Sequence, residues 1–88
     1  MREVPEKFRI FRERHPALAA AYERLATECH GAGHLGAKEQ ALACLGSAAG
    51  ARVEGAVRSQ TRKAFNTGLT PDEIRHAIML SLTTIGYP

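Results

Sequence analysis

Tryptophan is absent from this chain of 88 residues, and three Phe and two Tyr are its only aromatic residues. Proteins that stack on nucleic-acid bases depend on such rings, and the 12 basic residues are spread along the sequence rather than grouped. The sequence also lacks an apolar run of the roughly 18 residues that a membrane-spanning helix needs. We therefore expect neither nucleic acid nor a membrane as a partner.

Cysteine is almost as scarce, because Cys29 and Cys44 are the only two thiols and lack the spacing of a disulfide framework. The opening residues, MREVPEK, contain no apolar core of a signal peptide. Both features predict a reduced, cytoplasmic protein. Cys29, His30 and His34 are close in sequence, but a closed zinc site needs about four ligands in better-defined spacing. We therefore expect no metal and no cofactor.

Helical periodicity dominates the rest of the sequence. Apolar residues from Phe8 to Cys29 recur at alternating steps of three and four, which places them on one helix face. Pro16 interrupts this helix and should lie in the first turn of a second piece. Further helices are predicted over residues 37–49, 52–67 and 71–85. With no strand pattern, residues 1–88 are predicted to form one all-α domain of four or five helices, with a central antiparallel hairpin turning near residues 50–52.

The junction around residue 70 carries the clearest local signal. Gly68 suits a left-handed residue that ends the helix before it. Thr70 and Glu73 have the spacing of a capping box, and Pro71 suits the first position of the next helix. That last helix has apolar residues on several sides from Ile74 to Ile85. A second copy of this small chain is the expected cover for them.

Gln60 interrupts an otherwise apolar face of the predicted helix 52–67. The other members of that face are Val53, Ala56, Val57 and Ala64. An amide among apolar residues must find hydrogen-bond partners or lose free energy on leaving water. Gln60 is therefore either a core glutamine bound to a backbone carbonyl or a residue that lines a pocket, and the sequence leaves both open.

Residues 53–64 and 68–74 resemble the carboxymuconolactone decarboxylase and alkylhydroperoxidase-D superfamily, and the resemblance is strongest over residues 35–85. Redox members of that superfamily carry Cys-x-x-Cys-x-x-x-His-x-Arg-x-Ala, followed by a helix start of the form Gly-x-Thr-x-x-Glu-Ile. The resemblance implies an alkylhydroperoxidase-D-like helical domain. It also implies a homo-oligomer, either a dimer or a hexamer built as a trimer of dimers.

The groups that carry the redox chemistry are missing at the matching positions. The two cysteine positions match Val53 and Ala56. The histidine position matches Gln60, and the glutamate of the preceding helix matches Ala41. Valine and alanine cannot be oxidised, and a glutamine amide does not titrate in the working range. We expect dithiol peroxidase activity to be absent.

A second branch, the decarboxylases, lacks the cysteine pair and has the motif His-x-Arg-x-Ala-x-Asn-x-Gly-x-Thr. This chain has Gln60 in place of the histidine. It matches the rest of the motif at Arg62, Ala64, Asn66, Gly68 and Thr70. The favoured interpretation is a non-catalytic or small-molecule-binding oligomer. The alternative is a cofactor-free, decarboxylase-like enzyme acting on a small carboxylic acid or lactone, so whether the protein is an enzyme stays open.

Two residues outside this helix are candidates for the same site. His15 lies on the apolar face of the first helix and would replace the missing imidazole, unless it is a core histidine. Cys44 comes opposite Ser59 and Gln60 if the central helices form a hairpin, and a peroxidase-like role for Cys44 is the second alternative. The simpler interpretation makes Cys44 a small buried apolar residue.

Arg58 and Arg62 flank Gln60 and are the predicted binding residues for a small anionic ligand. The simpler interpretation is that both are surface charges, with Arg58 paired to Glu54 one turn earlier. The catalytic candidates are accordingly Gln60, His15 and Cys44.

Overall fold

The computed structural model of the protein describes residues 6–86; residues 1–5 and 87–88, with most of the run MREVPEK, lie outside that range. Every regular element within it is a helix, which confirms the all-α class. The helices are α1 (Glu6–Arg14), α2 (Pro16–Gly31), α3 (Ala37–Ala51), α4 (Glu54–Asn66), α5 (Pro71–Met79) and α6 (Ser81–Thr84). These six described helices exceed the expected four or five because the last predicted helix is divided.

The chain divides into two compact units, with the boundary between His34 and Leu35. The first unit contains α1 and α2. Pro16 is the first residue of α2 and His15 is its N-cap, so the proline starts a new helix as predicted. Among the described residues of this unit only Ala19 is buried. The large apolar side chains that remain exposed on α2 are Leu18, Tyr22 and Leu25.

The second unit contains α3 to α6, and α3 contacts each of the other three helices. Its core is a small cluster of buried apolar residues, namely Ala41, Leu45, Ala64, Leu69 and Ile74. Leu45 and Ala64 are fully buried. Alanine at such contacts reduces the distance between two helix axes, and burial of a leucine side chain stabilises by roughly 1.5–3 kcal/mol.

Arg52 and Val53 connect α3 to α4. Arg52 is left-handed, with a φ of 59°, and its N–H donates to the Ala49 carbonyl at 3.1 Å. Val53 is extended, and its N–H donates to the Ala48 carbonyl at 3.4 Å. The helix therefore continues past Gly50, where we expected it to end, because a glycine permits a left-handed residue without requiring one. Because Arg52 and Val53 form the turn, α4 starts two residues later than predicted.

Gly68 turns the chain from α4 towards α5. Its φ is 91°, a conformation that side chains rarely adopt. The Gly68 N–H donates to the Phe65 carbonyl at 3.0 Å, and the Leu69 N–H donates to the Ala64 carbonyl at 3.3 Å. This pair of bonds is the Schellman motif, and it confirms the predicted helix end.

The capping box at the start of α5 is also present as predicted. The Glu73 N–H donates to the Thr70 hydroxyl at 3.1 Å, and the Thr70 N–H donates to the Glu73 carboxylate at 2.8 Å. The pKa of Glu73 is lowered chiefly because its carboxylate accepts this backbone N–H, and the charge of Lys38 on α3 acts in the same direction. Pro71 is the first residue of the helix.

Leu80 divides the last predicted helix into α5 and α6. The Ser81 hydroxyl donates to the Ile78 carbonyl at 2.6 Å, and the Thr84 hydroxyl donates to the Leu80 carbonyl at 2.9 Å. Such side-chain bonds to the preceding turn compete with the backbone ladder and bend helices. Within the described part of the chain, none of the helices combines the length and the apolar character needed to cross a membrane.

Candidate functional site

The start of α4 contains the two residues predicted to match the cysteines of the redox members. Val53 is the N-cap and is 52% exposed, and Ala56 is the third residue of the helix and is half-buried. Val53 provides no side-chain hydrogen bond to the first-turn amides. A thiol at this positive end of a helix is favoured as thiolate, but neither side chain here contains a reactive atom.

Gln60 lies one turn further along α4 and is half-buried. Val57, on the same face, packs against the core cluster of the second unit. Within residues 6–86 the Gln60 amide makes no hydrogen bond to a backbone carbonyl, and the two interpretations of this residue stay predictions. No buried polar side-chain atom in this range lacks a partner, which means that the Gln60 amide still reaches solvent. An amide in this position is available to bind a ligand.

The two candidate arginines differ in their environment. Arg58 is exposed, and its guanidinium pairs with the Glu54 carboxylate one turn earlier, as the simpler interpretation predicts. Arg62 is half-buried and has no ion pair within the described residues. Arg62 is therefore the better placed of the two to bind an anion, because its charge is not already neutralised by a carboxylate.

Ser59 is a further polar residue on α4 and is not among the predicted site residues. Its side chain is half-buried and precedes Arg62 by three residues, so the two lie on the same side of α4. The Ser59 hydroxyl makes no hydrogen bond to residues in the described range. The spacing of three residues between a hydroxyl and a guanidinium is the sequence signal that could have indicated it.

Ala41 on α3 is the residue predicted to match the glutamate of the redox members. It is 8% exposed and belongs to the core cluster with Leu45 and Ala64. A carboxylate there would lose its hydration among apolar side chains. In this chain the position therefore contributes to helix packing, and it supplies no acid or base to α4.

The sequence model of the carboxymuconolactone decarboxylase family matches residues 16–88 of the chain. The protein belongs to this family. The match begins at Pro16, the first residue of α2, and so extends further towards the N-terminus than the stretch 35–85 where the resemblance is strongest. Neither an individually curated protein nor a solved structure matches the chain significantly. None of the side chains of Ala41, Val53, Ala56 and Gln60 is titratable.

The other two candidates lie outside α4. Cys44 is a half-buried free thiol on α3, the helix that packs against α4. Its position opposite Gln60 stays a prediction. His15 belongs to the first unit, is exposed, and has its ring 5.4 Å from that of Phe11, centroid to centroid. The core-histidine interpretation of His15 is therefore wrong, while its catalytic role stays a prediction.

Cys29, His30 and His34 are close in sequence, although no metal site is predicted there. In the described range, residues 6–86, no three His, Cys, Asp or Glu side chains come close enough to hold one metal ion. Cys29 is exposed and free.

Proposed function

We propose that this carboxymuconolactone decarboxylase family member has no thiol peroxidase activity and binds a small anionic molecule without transforming it. The observation that carries the proposal is the half-buried polar segment Ser59–Arg62 on α4. In it the Gln60 amide and the Arg62 guanidinium have no hydrogen-bond or ion-pair partner in the described range. Both groups bind carboxylate oxygens, and neither transfers protons near neutral pH.

The ligand would contact the helix between these two groups. Residues two apart on a helix point to different sides, and Thr61 lies between them. The Thr61 hydroxyl donates to the Val57 carbonyl at 2.7 Å, so it already has a partner. A small carboxylate over Thr61 would receive hydrogen bonds from Gln60 on one side and from the longer Arg62 side chain on the other.

Calorimetric titration with succinate and with benzoate tests this binding. Replacement of Arg62 by Gln should weaken the affinity about tenfold or more, because a hydrogen bond to a charged group contributes roughly 1.5–3 kcal/mol. Arg58→Gln is the matched control, since Arg58 is exposed and paired. The affinity of this variant for the two carboxylates should stay within about twofold of the parent's. Equal weakening in both variants, or no binding by the parent protein, would contradict the proposal.

A peroxide assay with a dithiol reductant separates this proposal from the redox alternative. The parent protein should show no more turnover than the Cys44→Ser variant, because Val53 and Ala56 cannot form the redox disulfide. Cys44 is the one thiol of the second unit, and its half-buried position is what favours the alternative. Turnover by the parent that disappears in Cys44→Ser would establish a redox function and overturn the binding proposal.

A decarboxylase-like enzyme is the other alternative, and the motif match from Arg62 to Thr70 is what favours it. Such an enzyme needs a proton donor, which His15 would have to supply. Consumption of a lactone or a small carboxylic acid, lost on replacement of His15 by Asn, would support this function. Binding without consumption would support the non-catalytic one.

We also propose that the protein is a homo-oligomer, as a dimer or a hexamer of three dimers. The segment 78–85 carries five exposed large apolar side chains, namely Ile78, Met79, Leu80, Leu82 and Ile85. Exposed apolar residues grouped in this way are typical of protein interfaces. Analytical ultracentrifugation should show dissociation for Leu80→Lys and none for Val53→Asp, which removes a similarly exposed apolar side chain. An unchanged Leu80→Lys assembly, or a monomeric parent, would contradict this assignment.

We infer that α3 and α4, joined only by Arg52 and Val53, form a central antiparallel hairpin, and that residues 1–88 are one domain. A single unfolding transition, seen alike by probes in both units, would support one domain. A cytoplasmic location is consistent with the two free thiols, Cys29 and Cys44.

A further inference from the structure

We draw no further inference here: the strongest candidate, the exposed apolar stripe of Leu18, Tyr22 and Leu25 on α2, carries nothing because no feature of residues 6–86 shows what covers it.

Discussion

The two ends of α4 are built differently. The N-terminal end starts from Val53, which is half exposed and forms no side-chain cap, and follows a left-handed Arg52. The C-terminal end is closed at Gly68 by the same pattern of two backbone hydrogen bonds that connects α3 to α4. Leu69, the next residue, is 5% exposed. The backbone bonds are thus alike at the two connections, while the side chains that stabilise them are not.

This difference separates residues kept for the fold from residues that would serve chemistry. At the C-terminal end, Ala64 and Leu69 join the core cluster and Gly68 relieves backbone strain, so each has a structural reason. At the N-terminal end, Val53 and Ala56 are the residues predicted to match the cysteines of the redox members, and neither belongs to the buried core. The N-terminal end can therefore change its chemistry with little effect on folding, and substitutions at the two ends test this.

Removal of a buried side chain at the C-terminal end should cause the largest loss. Leu69→Ala should reduce the free energy of unfolding by about 2–5 kcal/mol, because it leaves a cavity beside Ala64. Val53→Ala, the corresponding truncation at the other end, should change it by less than about 0.5 kcal/mol. Urea denaturation of the two variants and the parent gives both values. Similar losses for the two variants would remove the distinction between the ends.

The left-handed residues on either side of α4, Arg52 and Gly68, should respond in opposite directions to substitution. Gly68→Ala should destabilise by about 1–2 kcal/mol, since an alanine is strained at this φ. An added Cβ would meet only Lys38 Cε at 3.7 Å, so the loss would come from the backbone rather than from a clash. Arg52→Gly should stabilise by roughly 0.5–1 kcal/mol through relief of the same strain. Thermal unfolding measures both, and a destabilised Arg52→Gly would show that the arginine side chain has an unrecognised partner.

The N-caps of α4 and α5 also differ, because Thr70 forms a side-chain hydrogen bond and Val53 does not. Thr70→Ala should destabilise by about 1 kcal/mol, because the Glu73 N–H loses the hydroxyl that it donates to. Val53→Asp should stabilise by a similar amount, since it adds a side-chain cap and a negative charge at the uncapped start of α4. Denaturant midpoints of both variants test this. A Val53→Asp protein no more stable than its parent would mean that this helix end is already satisfied in another way.

Acid should weaken the capped start of α5. The folded-state pKa of Glu73 lies below its ordinary value of 4.5, so its carboxylate contributes stability above that value. The contribution is lost as the pH falls through the lowered pKa, when the group is protonated and no longer accepts the Thr70 N–H as an anion. Denaturation from neutral to acidic pH should show a smaller acid dependence for Glu73→Gln than for the parent. Identical pH profiles would contradict this assignment.

Local signals in the sequence were sufficient for much of the fold. Pro16, Gly68 and the Thr70 capping box act within one or two turns, and each was predicted at the residue where the structure has it. The site was less predictable. Gln60 was singled out by periodicity, but its lack of a hydrogen bond and the contrast between Arg58 and Arg62 depend on which neighbours are within reach.

The family membership, the helical class and the absence of thiols at Val53 and Ala56 follow from the sequence itself, because residue identity and short-range periodicity determine them. Tertiary structure decided the rest. It placed Ala41 in the core and left Val53 exposed on a face that periodicity assigned as apolar apart from Gln60. It also extended α3 past Gly50 to Ala51, with the left-handed Arg52 directly after it. Burial and hydrogen-bond supply depend on contacts between helices distant in the chain, which no local pattern contains.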